Sequence, residues 1–74
     1  METENIIGNI EQAAKYARHF IENGPRFSAT LYFDRAKQTL VVEKRAILDY
    51  NPKAYAQLSE EVSELEKEIT QPRW

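Results

Sequence analysis

His19 is the one side chain in this sequence whose ordinary pKa lies near neutrality. To act as a general base it needs a nucleophile or a substrate-positioning group within hydrogen-bond reach. Ser28, Ser59 and Ser63 offer hydroxyls, but with a single histidine no Ser–His–Asp arrangement can be argued from their positions. His19 instead falls beside Gln12, Tyr16 and Asn23 on a polar stripe flanking an apolar helical face, the setting of a surface or boundary histidine. The chain contains no cysteine, so it can supply no thiolate zinc set, and one imidazole cannot replace it. Two glycines, Gly8 and Gly24, are too few for a glycine-rich phosphate loop. Neither enzymatic activity nor a cofactor is expected.

Two charged groups remain. Glu60, Glu61, Glu64, Glu66 and Glu68 form an acidic run near the end of the sequence. Paired carboxylates do acid–base work only when a site holds them together and separates their pKa values. Helical geometry turns these five around the solvent side of one helix, so the run reads as a solvated face or a docking surface for a basic partner. Arg26, Arg35, Lys37 and Arg45 form a basic middle segment that includes Tyr32. Cations interleaved with an aromatic can grip phosphates and stack bases, although Glu43 lies among them. The alternative use of that segment is apolar contact with another protein. Tyr32, Val41, Arg45 and Ile47 are expected on one outer face, and Trp74, beyond the helix-ending Pro72, suits an interface anchor.

The elements that must position these residues follow from the apolar pattern. Ile6, Ile7, Ile10, Ala13, Ala14, Ala17, Phe20 and Ile21 recur at helical spacing, predicting a helix over about 3–23 with Thr3 or Asn5 as its cap. Asn23-Gly24-Pro25 ends it. Phe27, Ala29, Leu31 and Phe33 then alternate with Arg26, Ser28, Thr30 and Tyr32, predicting a strand over about 26–33. Asp34 to Gln38 reads as a turn, and about 39–48 as the returning strand, with Phe33 opposite Leu40 and Leu31 opposite Val42. Asn51-Pro52 opens a last helix to about 70, whose Tyr55, Leu58, Val62, Leu65 and Ile69 form a seam at spacings of 3 and 4.

The expected fold is therefore a single α+β domain of order α-β-β-α, an antiparallel hairpin with both helices on one face. A chain of 74 residues buries only about 60% of its unfolded surface. With disulfides and zinc thiolates excluded, oligomerisation is the remaining support, so a homodimer is expected, joined by the hairpin edges or by the last helix's seam. The net charge of −2 selects no partner class. No apolar run approaches the ~20 residues that span a bilayer, no targeting segment stands out, and a cysteine-free chain fits a reducing compartment, so a cytoplasmic location is expected. The sequence thus predicts a small non-enzymatic protein-interaction module, an adaptor, regulator or inhibitor. The alternative is a nucleic-acid-binding regulator using Arg26, Arg35, Lys37 and Arg45.

Overall fold

A computed structural model describes residues 2–70 as four helices. They are α1 (Glu2–Asn23), α2 (Arg26–Val42), α3 (Lys44–Tyr50) and α4 (Pro52–Thr70). Among the described residues there is no strand, and this overturns the α+β expectation, the hairpin, and dimerisation through its edges.

The segment expected to be a hairpin is helical for an identifiable reason. Ala29, Phe33, Ala36 and Leu40 recur at spacings of 4, 3 and 4, and all four are buried. That stripe runs straight through Asp34–Gln38, the expected turn, which contains neither glycine nor proline. Arg35, Ala36, Lys37 and Gln38 are among the better helix formers. The period-two pattern arises because α2 carries a second set of apolar residues, Phe27, Leu31, Val41 and Val42, on its exposed side. Two helical stripes on opposite faces imitate the alternation of a strand.

Helix α2 gives way to α3 at Glu43, whose backbone leaves helical values (φ −99, ψ 15) while its N–H still donates to the Thr39 carbonyl at 2.9 Å. Thr39, Val41 and Val42 are β-branched, which lowers helix propensity just before the break. At the other junctions local chemistry is explicit. Gly24 adopts a left-handed φ of 71 and donates to the Phe20 carbonyl at 2.7 Å, closing α1. Asn51 caps α4: its Oδ1 accepts from the backbone N–H groups of Lys53 at 3.1 Å and Ala54 at 3.3 Å, with Pro52 at the first helical position. Thr3 and Asn5, expected as caps, lie inside α1.

Helices α1 and α2 make the most extensive contact in the structure. Ala13, Ala14 and Ala17 of α1 and Ala29 and Ala36 of α2 are all buried, and small residues let two helix backbones approach closely. The core is completed by Ile10, Ile21, Phe33, Leu40, Ile47 and the α4 residues Leu58, Val62, Leu65 and Ile69. The α4 seam, one of the two expected dimer contacts, is thus spent on the chain's own interior. Among the described residues no polar or charged residue is buried. Polar links tie the elements together around this apolar centre. Arg18 pairs with Glu68 at 3.5 Å, Lys37 with Glu66 at 3.4 Å, and Arg26 donates to the Ile69 carbonyl at 2.9 Å. Among the described residues no helix is long and apolar enough to cross a membrane.

Candidate protein-binding surface

The outward face of α2 is the most apolar surface described. Phe27 is 77% exposed, Val42 71%, Val41 65% and Leu31 48%. Phe27, Leu31, Asp34, Gln38 and Val41 follow one another at spacings of 4, 3, 4 and 3, and Val42 adjoins the last. This is a helical seam opposite the buried one, so α2 is apolar on both sides. Exposed apolar side chains that cluster in this way mark interaction sites more than isolated ones do.

Relief along the seam is uneven. At one end Phe27 projects from the first turn of α2. At the other, a shallow groove of about 560 Å³ lies between the end of α2 and α3, lined by Val41, Val42, Lys44, Arg45, Leu48 and Asp49. The middle is polar, with exposed Asp34 and Gln38 and the cations Arg35 and Lys37 flanking them. Lys37 also lies 5.8 Å from the Phe33 ring centroid.

The residues singled out from the sequence are distributed differently from expectation. Ile47 is fully buried under α3, so it belongs to the core and is no part of an outer face. Tyr32 is half-buried on the α1 side of α2. Its ring lies 5.2 Å from Tyr16 at a 43° tilt and stacks on Phe20 at 5.7 Å, with the Arg35 guanidinium 6.0 Å from its centroid. Val41 and Arg45 are exposed and both line the α2–α3 groove. Trp74 lies outside the described residues. Among the described members of the expected contact set, the fold brings only Val41 and Arg45 together. Phe27, Leu31 and Val42 were missing from that set because a hairpin turns them inward. Their signal was the 4-3-4-3 recurrence across residues 27–41.

Comparison with family models, curated proteins and solved structures finds no match for this chain.

The charged candidates do not gather into a chemical centre. Among the four basic residues, Arg26 bonds the end of α4 and Lys37 pairs with Glu66, while Arg35 stands over Tyr32 and Arg45 is on α3. Arg26 is the first residue of α2 and Arg45 lies beyond its last, so the length of that helix, about 26 Å, stands between them. In the acidic run, Glu66 and Glu68 are engaged by Lys37 and Arg18. Among the described residues no three carboxylate or imidazole groups are placed to hold a metal ion. His19 is exposed near the end of α1, its ring edge-on to Phe20 at 5.1 Å. Asn23, one turn on, lies 3.4 Å from His19 Nδ1 and donates to the His19 carbonyl at 3.1 Å.

Proposed function

We propose that this chain is a small non-enzymatic protein-interaction module that works through the outer face of α2. The observation that carries this reading is the second apolar seam, Phe27–Leu31–Val41/Val42, left uncovered on a helix whose other side already fills the core. Keeping four large apolar side chains in water has no use to the fold itself. Removing them from water is worth about 1.5–3 kcal/mol for each that becomes fully buried, before the entropic cost of association. The nucleic-acid alternative draws less support, since two of its four cations are already used to hold α4.

A photoreactive residue introduced at position 27 or 42, with exposed positions 53 and 64 on α4 as controls, tests this in cells. The module reading expects discrete protein adducts from positions 27 and 42 that disappear when Leu31→Ser is added. Equal labelling from the α4 controls, or no protein adduct from α2, overturns it.

A further inference from the structure

We infer that the cleft between α1 and α2 is a binding site for a small aromatic carboxylate. None of Phe27, Leu31, Val41 and Val42 lines this cleft, so the inference stands apart from the surface proposed above.

The cleft exists because the α1–α2 contact is built from small residues. Buried Ile10, Ala13 and Ala36 form its floor, and the two alanines stop short of filling it. The space left is about 350 Å³, near the lower end of the roughly 300–1,000 Å³ typical of small-molecule sites. That size suits a ligand of one or two fused rings. An apolar floor with a few polar groups around it is also the usual make-up of such sites.

The ring of the ligand follows from Tyr16. Tyr16 and Tyr32 both wall the cleft, their centroids 5.2 Å apart and their planes tilted by 43°. Tyr32 is taken up by Phe20, which stacks on it at 5.7 Å, whereas Tyr16 is 44% exposed. The Gln12 amide donates to the Tyr16 hydroxyl at 3.4 Å and steadies that ring. A flat ligand lying over the alanines meets Tyr16, and such ring pairs are favourable beyond the area they bury.

The charge of the ligand follows from Arg35, the one ionised side chain lining the cleft. Its guanidinium stands 6.0 Å from the Tyr32 centroid, a contact that does not neutralise it. Among the described residues its side chain forms no hydrogen bond or ion pair. Leu31, Tyr32, Gln38 and Thr39, three and four positions away along α2, include no carboxylate, and its neighbour Asp34 belongs to the outer seam. A guanidinium fork left uncompensated at an apolar cleft matches a planar carboxylate, which it holds through two parallel hydrogen bonds. A single cation suits a single negative charge.

Titration of the full chain with naphthalene-2-carboxylate, followed by amide NMR shifts, tests this. Saturable shifts are expected at Ala13, Ala36 and Thr39, with a Kd on the order of 0.1–1 mM for so small a ligand. The neutral naphthalene-2-carboxamide should bind about tenfold more weakly, because it lacks the charge-assisted bonds. Arg35→Gln should bring the carboxylate down to the affinity of the carboxamide while leaving the carboxamide's own affinity unchanged, a split that a merely structural defect does not produce. Tyr16→Ala should weaken both ligands, with helical circular dichroism unchanged in either variant. A wild-type chain without saturable shifts up to about 5 mM, several times the weakest Kd expected, overturns the site. So do shifts centred on Phe27, Leu31 and Val42 instead. Equal binding of carboxylate and carboxamide, or no effect of Arg35→Gln, overturns the assignment of the ligand as an anion.

Discussion

The Tyr50 hydroxyl donates to a Glu4 carboxylate oxygen at 2.7 Å, fastening the end of α3 to the start of α1. That hydrogen bond raises the Tyr50 pKa above the ordinary phenol value of 10.0, with a smaller push from partial desolvation and from the Glu4 charge. Losing the proton removes the donor and sets a phenolate beside a carboxylate. The bond's contribution to stability is thus fully present below the ordinary phenol value and is lost as pH rises through the raised one. In an alkaline titration followed by phenolate absorbance, Glu4→Gln should bring the Tyr50 transition down. Assignment comes from the difference against Tyr50→Phe. Asn51 makes a second local prediction. Its side chain satisfies two of the first N–H groups of α4, so Asn51→Ala should lower unfolding free energy by about 1 kcal/mol in a denaturant titration.

Among the elements, α1 and α4 were open to reading and α2 with α3 were not. Each outer helix buries one stripe, shows water the other, and carries plain punctuation: Gly24 after α1, Asn51-Pro52 before α4. Helix α2 buries Ala29, Phe33, Ala36 and Leu40 while exposing Phe27, Leu31, Val41 and Val42, so the contrast that identifies a helix is cancelled. What survives on paper is odd against even, the mark of a strand. The error carried into the surface as well, exchanging the inner and outer assignments of Phe27, Leu31 and Val42 and placing the core residue Ile47 outside. Two features of the sequence fit a helix: the lack of glycine and proline in Asp34–Gln38 and the 4-3-4 spacing of Ala29, Phe33, Ala36 and Leu40. Val42 offers a check on the resulting picture. It sits at the last position of α2, exposed and β-branched, so Val42→Ala should leave thermal stability of the single chain equal or higher by about 0.5 kcal/mol. The same change should weaken partner capture through the α2 face, and the two effects are read separately by thermal melting and by photo-crosslinking from position 27.

The molecule as a unit is a bundle 39 Å long and less than half as wide, with few residues far from solvent. Leu65 is completely enclosed at its centre, and Leu65→Ala should cost about 2–5 kcal/mol, enough to leave so small a domain largely unfolded at moderate temperature. Chemical denaturation at neutral pH measures it. The composition of that interior has a further consequence. Hydrocarbon packs against hydrocarbon in many alignments of nearly equal energy, and no enclosed polar atom among the described residues selects one. Uniqueness therefore falls to the rim: Arg18 on Glu68, Arg26 on the Ile69 carbonyl, Lys37 on Glu66 and Tyr50 on Glu4. Replacing Arg18, Arg26 and Lys37 by methionine and Tyr50 by phenylalanine should keep the helices and much of the melting temperature. Methyl resonances, however, should broaden and merge as the helices slide among alternative alignments, because the peripheral contacts specify which bundle forms more than whether one forms.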